Sequence, residues 1–390
     1  MLVKESDHLE LVWTDGAISK YHWLWLRQSC ECSVCFNSYA RQRYFDPSIY
    51  FAGAAPESVV ENGDTLSILW KDGHPSVYPL DVLRRKTYSG RGTMPPGPKK
   101  IAWSRWPRNE LPQSIHFKLN EALESDAVIH EALNSLFKFG LVVFKADENS
   151  VVDSSKICDR LGGLLDRSYF GDYFDIEAKD ESTTDSVAFS TRELPLHTDV
   201  PYYSPPPEYQ FLYGLDVNNV ATASNSGSTR FIDGLTTALE MQESSPEDFR
   251  ILSEIPVVNR AAFPTADRIY ENRTSIIKIG RDGEIERLMN NPSKMFFDGV
   301  GYDDMIPLFN AYRNFKNRLS SSKNSYSHAW STADMVVWDN RRVFHGREEF
   351  SAPGVKRYLR GGYFKEVELF SRARYLASKF KSNDGKPFPS

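Results

Sequence analysis

Three of the four cysteines fall inside one short stretch, Cys30-Glu31-Cys32-Ser33-Val34-Cys35, and that spacing restricts what the N-terminal region can become more than any other feature. Loops this short do not suit disulfide pairing, whereas thiolates so crowded converge on a metal. Two histidines compete for the fourth position: His74, just beyond the Asp72-Gly73 turn, and His22. Three thiolates and an imidazole form a closed tetrahedral shell that suits zinc and leaves no place for a substrate, so the site reads as structural. The bland alternative, buried thiols, explains the crowding poorly. Around the cluster, Leu9 to Trp13 and Ala17 to Trp25 flank Asp15-Gly16, and Leu66 to Trp70 precedes Asp72-Gly73. Such patterns are hairpin signals, so residues 1–90 are expected to form a small, mostly antiparallel zinc-binding β domain.

Residues 91–112, rich in Gly and Pro, are expected to be a linker, and 113–380 a second domain. There the pattern predicts helices over Ser125 to Phe139, Ser154 to Leu165 and Pro246 to Glu254, and a buried strand at Leu141 to Phe144. β-like runs follow at Val187 to Ser190, Glu208 to Gly214, Ser228 to Ile232, Ser275 to Gly280, Ser325 to Trp330, Ala333 to Trp338 and Tyr358 to Val367. The class expected is mainly β with flanking helices, a sandwich or barrel. A net charge of −5 offers no field for a phosphate backbone, and no apolar run approaches the ~20 residues that span a bilayer. No nucleic acid and no membrane partner is therefore expected. The N-terminus reaches Glu5 without an apolar stretch, which points to the cytoplasm.

Chemistry is concentrated in His197-Thr198-Asp199 and, far downstream, His345. An imidazole and a carboxylate two apart on an extended segment share a face, and a second histidine completes a facial triad with three open positions, as an oxygen-activating iron requires. Arg357 is placed to fork onto a carboxylate. An aromatic group, Tyr169, Phe170, Tyr173, Phe174, Phe189, Tyr202, Tyr203 and Tyr363, could box a quaternary ammonium, or simply be core. Ser186, Arg192, Asn290 and Asn291 are expected to approach the same pocket, where an added arginine suits a dianionic phosphonate; a solvated loop charge is the competing reading of Arg192.

The motifs Leu26-Arg27-x-x-Cys30-x-Cys32-x-x-Cys35, Leu196-His197-Thr198-Asp199-x-Pro201, Phe231-Ile232-Asp233-Gly234, Asn290-Asn291, Asp339-Asn340-Arg341-x-x-x-His345-Gly346-Arg347 and Arg357-x-Leu359-x-Gly361-x-Tyr363 together resemble the γ-butyrobetaine dioxygenase and trimethyllysine dioxygenase family. The resemblance implies a zinc-binding N-terminal domain on a double-stranded β-helix (jelly-roll) catalytic domain. It further implies hydroxylation of an aliphatic C–H with Fe(II), 2-oxoglutarate and O2, with ascorbate as a stimulant, in a homodimer. By the same resemblance His197, Asp199 and His345 hold iron, while Arg357 and Thr229 hold the distal carboxylate of 2-oxoglutarate. Phe170, Phe174 and Phe189 stand where butyrobetaine enzymes tend to have Tyr, Trp and Tyr, and Val200 replaces a tyrosine. These departures are compatible with the branch that hydroxylates 2-(trimethylamino)ethylphosphonate. Conversion of γ-butyrobetaine to L-carnitine is the runner-up, and a metal-stabilised, non-enzymatic binding protein the alternative class.

Overall fold

Apolar side chains alternate along the first strands, and the alternation decides which face is buried. The computed structural model describes residues 2–38, 42–44, 46, 54–87, 103–107, 111, 113–147, 153–163, 165–177, 193–218, 227–263, 267–349 and 356–381. Most of 91–112 and the run Val187 to Ser190 lie outside them. The chain divides into two compact units, Met1–Lys99 and Lys100–Pro389.

In the first unit β1 (Leu2–Lys4), β2 (His8–Val12) and β3 (Ile18–His22) form an antiparallel sheet. Leu9, Leu11 and Tyr21 point inward from alternate positions. The expected strand to Trp25 stops at His22, and the chain turns into α1 (Trp23–Gln28), which buries Trp23, Leu26 and Arg27. After the short β4 (Phe36–Asn37) and β5 (Gln42–Arg43), a meander of β6 (Pro56–Asn62), β7 (Thr65–Trp70) and β8 (Pro75–Pro79) leads to α2 (Leu80–Arg85). Leu66, Ile68 and Trp70 close the core against the first sheet.

His74 meets the cysteines at the β7–β8 turn. Its Nε2 lies 3.4, 3.6 and 3.5 Å from the Sγ atoms of Cys30, Cys32 and Cys35. A tetrahedral zinc with ordinary Zn–S and Zn–N bonds separates such atoms by about 3.6 Å. The turn is fixed by Asp72, whose Oδ1 accepts from the His74 amide at 3.0 Å while its Oδ2 accepts from Arg27 of α1 at 3.0 Å. Among the described residues His22 belongs to no such group; its ring lies 6.4 Å from that of His8. The cluster therefore fits structural zinc with His74 as fourth ligand. Replacing Cys32 with Ala should abolish zinc binding and unfold this unit, because metal binding there is folding free energy, apparently of order 10 kcal/mol. Full zinc content with an unchanged melting curve in that variant would refute the assignment.

The second unit is a sandwich. Its strands and helices in chain order are β9 (His116–Lys118), α3 (Leu119–Glu124), α4 (Asp126–Phe139), β10 (Leu141–Lys145), α5 (Ser154–Leu161), β11 (Tyr173–Ile176), β12 (Leu194–His197), β13 (Tyr209–Asn218), β14 (Thr229–Asp233), α6 (Gly234–Ser244) and α7 (Pro246–Glu254). Then come β15 (Val257–Phe263), β16 (Arg268–Thr274), β17 (Ile277–Ile279), β18 (Ile285–Leu288), β19 (Met295–Phe296), α8 (Tyr302–Ser321), β20 (Ser325–His328), β21 (Met335–Asp339), β22 (Val343–Arg347), β23 (Lys356–Phe364) and α9 (Glu366–Lys381). One sheet runs β11-β23-β13-β21-β10-β9 and the facing sheet β12-β22-β14-β20.

Leu141, Val143, Leu212, Val336 and Trp338 meet Phe231 and Val343 between the sheets. Their strand neighbours Val142, Phe144, Phe211 and Val337 face the opposite way, under α4, α5 and α9. Helices α6, α7 and α8 cover the smaller sheet. A bidentate pair, Arg342 Nε to Asp233 Oδ1 at 2.8 Å and Nη2 to Oδ2 at 2.9 Å, ties β14 to the turn before β22 with both side chains fully buried. Removing one member of such a pair costs about 3–5 kcal/mol.

Two further expected boundaries move, and one helix is new. The helix from Ser154 ends at Leu161, because Gly162-Gly163 follows and Gly163 takes φ +81°. Helix α8 is unexpected, since Pro307 lies inside it, and the run Tyr358 to Val367 divides at Lys365 into the last strand and α9.

Candidate active site

In the β12–β22 pairing His197 stands opposite His345, with a bulge between Leu194 and His197 that re-aims the strand end. The two rings lie 4.2 Å apart. Gly346 makes the pairing possible: a Cβ there would lie 2.7 Å from the Leu194 carbonyl oxygen.

His197 Nδ1 is 2.8 Å from the Pro195 carbonyl oxygen, which can only accept, so the ring proton sits on Nδ1 and Nε2 presents a lone pair. That lone pair faces Asp199 Oδ1 at 3.2 Å, and His345 Nε2 lies 4.0 Å from the same oxygen. Lone pairs turned toward one another in a buried site call for a cation between them. Asp199 Oδ2 accepts from Gln210 Nε2 at 2.5 Å and from the Tyr363 hydroxyl at 2.9 Å, which fixes the carboxylate plane. Asn340 closes the loop by accepting from the Asp199 amide and donating to its carbonyl. Burial works to raise the Asp199 carboxyl, but His197 first, then His345 and the Tyr363 hydroxyl, outweigh it and hold it well below the usual carboxylate range. Burial, reinforced by neighbouring His197, pushes His345 down to about 3. Two neutral imidazoles and one carboxylate are the forms a divalent metal binds.

A cavity of about 290 Å³ opens on this triad. On one side Arg357, buried, donates to Thr229 Oγ1 at 3.1 Å, and Trp330 Nε1 donates to the same oxygen at 2.8 Å. Thr229, accepting twice, keeps its own proton for a ligand. Arg357 Nε has no partner among the described residues, and burial beside Arg347 lowers the guanidinium to about 9, so it is still charged at neutral pH. A buried cation of this kind fits an anionic ligand. The other wall is aromatic: Phe170, Phe174, Tyr202, Phe263 and Tyr363, with Phe170 to Phe263 at 5.8 Å and Phe174 to Tyr363 at 5.5 Å. Phe174 fits because residue 361 is glycine; a Cβ there would meet the ring at 2.4 Å.

Of the sequence-selected residues, Phe170, Phe174, Tyr202, Asn291, Tyr363, Thr229 and Arg357 line the cavity with the triad. Tyr173, Tyr203 and Asn290 do not. Tyr173 points to the helix side of its strand and packs on Phe211 at 6.2 Å, as alternation with Phe174 demands. The Tyr203 hydroxyl accepts from the Tyr169 amide behind the wall, and Asn290 is a buried strut accepting from the Tyr312 hydroxyl at 2.9 Å. Ser186, Phe189 and Arg192 lie outside the described residues. Gln210, Phe263, Ser293, Lys294 and Arg347 also line the cavity and carry no role in the sequence reading. Gln210 was detectable as the one polar member of the run Tyr209 to Tyr213, and Phe263 had no such signal.

Residues 107–363 match the family described as taurine catabolism dioxygenase TauD, TfdA family, and residues 1–84 match the gamma-butyrobetaine hydroxylase-like N-terminal family. The chain belongs to the TauD/TfdA dioxygenase family. It is 28% identical over 380 residues to the gamma-butyrobetaine dioxygenase of Pseudomonas sp. (strain AK-1), covering 95% of this chain and 94% of that protein. Identity to the Homo sapiens gamma-butyrobetaine dioxygenase is 23% over 389 residues, 97% of each chain. Identity to the mitochondrial trimethyllysine dioxygenase of Bos taurus is 24% over 383 residues, 96% of this chain and 86% of that one.

The protein is an Fe(II)/2-oxoglutarate-dependent dioxygenase, which sets aside the non-enzymatic reading, and His197, Asp199 and His345 would hold the iron. Among the described residues no helix is long and apolar enough to cross a membrane.

His345, depressed by burial, binds fewer protons folded than unfolded, so stability of the metal-free protein should fall as pH drops below the ordinary histidine value of 6.5 toward about 3, with Asp199 adding to the loss only below the ordinary carboxylate range. Thermal melts of metal-free protein at about pH 7 and about pH 5 check this, and His345→Gln should flatten the dependence. An equally steep dependence in that variant would show that His345 is not its source.

Proposed function

We propose that the enzyme hydroxylates an aliphatic C–H of a small trimethylammonium compound with an anionic tail, 2-(trimethylamino)ethylphosphonate being favoured. The observation that carries this is the aromatic wall beside the triad: Phe170, Phe174, Tyr202, Phe263 and Tyr363 offer ring faces to a cation that accepts no hydrogen bond. Three of the five are phenylalanines, which supply no hydroxyl to a carboxylate. γ-Butyrobetaine, giving L-carnitine, is the second reading, favoured by full-length relatives of that name.

Bound iron and 2-oxoglutarate supply the oxidative chemistry, in which O2 and 2-oxoglutarate become succinate and CO2 and the substrate C–H becomes C–OH. The chain's own residues position the partners. Arg357 and Thr229 take the distal carboxylate of 2-oxoglutarate as a charge-assisted donor pair. Gln210 and Tyr363 hold Asp199 in one orientation, and the aromatic wall excludes water while it seats the ammonium. A cytoplasmic homodimer and stimulation by ascorbate belong to the same proposal.

The test is iron-dependent release of CO2 from labelled 2-oxoglutarate, stimulated by a candidate amine, with a product heavier by one oxygen by mass spectrometry. Arg357→Ala should retain iron and raise the 2-oxoglutarate KM at least tenfold, about 1.4 kcal/mol, as loss of a charge-assisted pair requires. Wild-type dependence on 2-oxoglutarate in that variant would remove Arg357 from the site, and turnover of no trimethylammonium compound would overturn the substrate class.

A further inference from the structure

The segment Asn290-Asn291-Pro292-Ser293-Lys294 is bolted to the metal site through Thr198, the residue between two metal ligands. The Thr198 amide donates to the Asn290 carbonyl at 2.8 Å, and the Asn290 amide donates to Thr198 Oγ1 at 3.0 Å. At its other end, the Lys294 carbonyl accepts from the Arg260 amide at 2.8 Å, and Arg260 lies on β15, the strand that ends in Phe263 of the aromatic wall. The loop therefore has a fixed place relative to both the iron ligands and the wall.

What the loop offers the cavity is donors. Asn291 Oδ1 accepts from the Ser293 amide at 3.2 Å and from the Ser293 hydroxyl at 2.8 Å. The backbone donor fixes the amide orientation, so Nδ2 is left for a ligand. Lys294 lines the cavity, and among the described residues its ammonium has no hydrogen-bond or ion-pair partner. The described lining contains Lys294, Arg347 and Arg357 against one carboxylate, Asp199. A 2-oxoglutarate whose distal carboxylate sits on Arg357 leaves Lys294 without a counter-charge, and positive charge in a partly dry cavity favours an anion.

We propose that Lys294, beside the already expected Asn291, is a specificity-determining counter-charge for the anionic tail of the substrate. The inference rests on the zwitterionic substrate proposed above and deepens it. Lys294 acts by polarity as well as attraction: it repels a trimethylammonium head, so the head must lie on the aromatic wall and the tail on the loop. That fixes which carbon of the substrate faces the metal.

The test compares wild-type, Lys294→Met and Lys294→Arg holoenzymes on γ-butyrobetaine, on 2-(trimethylamino)ethylphosphonate and on the tail-less cation butyltrimethylammonium, with melting temperatures recorded for each. Lys294→Met should raise KM for the zwitterion the wild type uses at least tenfold, about 1.4 kcal/mol, while kcat changes less than KM. Lys294→Arg should restore KM to within about threefold, and the methionine variant should gain on the tail-less cation relative to the zwitterion, because a repulsion is gone. An unchanged zwitterion KM in Lys294→Met overturns the tail assignment alone. Equal loss in both variants with intact melting also overturns it, since a charge-conserving change would then matter as much as charge removal. Failure of the wild type on both zwitterions overturns the substrate reading together with the tail assignment.

Discussion

The pairing of His197 with His345 across one antiparallel ladder is the constraint from which the cavity is built. Side chains on a strand alternate, so a slip of one residue between β12 and β22 would send one imidazole to the opposite face and dissolve the site. The register is held from several directions. Gly346 admits the Leu194 carbonyl, Thr198 is fastened to the Asn290 backbone, and Asn340 grips the backbone of Asp199 on both sides. Behind them, the buried Arg342–Asp233 pair anchors the turn that delivers β22. The metal ligands are thus positioned by main-chain hydrogen bonds of the sandwich more than by contacts among themselves.

Much of this was legible in sequence because coordination chemistry dictates residue type and spacing. The cysteine cluster and the His-x-Asp tripeptide announce themselves, and geometry then selects His74 over His22. The cavity wall was less legible, and the reason is alternation. Tyr173 and Phe174, Tyr202 and Tyr203, and Asn290 and Asn291 are adjacent pairs in which one member lines the cavity and the other does not. Composition treats neighbours alike, whereas a strand or tight loop sends them apart. Helices α8 and α9 went unread for different reasons. Pro307 argues locally against α8, yet Leu308, Ala311, Phe315 and Leu319 bury a continuous stripe that outweighs it. In α9 the apolar run simply continues from the preceding strand.

The cavity divides its labour by charge. Imidazoles and a stiffened carboxylate gather at the metal position, guanidinium and ammonium groups stand elsewhere around the cavity, and among the described lining the ring faces supply the surface suited to a cation other than metal. Such an arrangement discriminates among small molecules by where their charges lie, and a cavity of about 290 Å³ sets a limit on their bulk besides.

Val200, directly after Asp199, takes φ +52°, a left-handed conformation that a β-branched residue rarely adopts. Strain of this kind costs of order 1–3 kcal/mol and survives only where the surroundings over-determine it. Here Asn340 holds the preceding residue, the Tyr203 amide donates to the Val200 carbonyl at 3.2 Å, and the side chain packs on Tyr202, Phe263 and Tyr363. Glycine at this position would relieve the backbone but remove the methyl groups that wedge the aromatic wall against the carboxylate. Valine at position 200 thus exchanges a poorer local backbone conformation for packing against the aromatic wall beside a metal ligand.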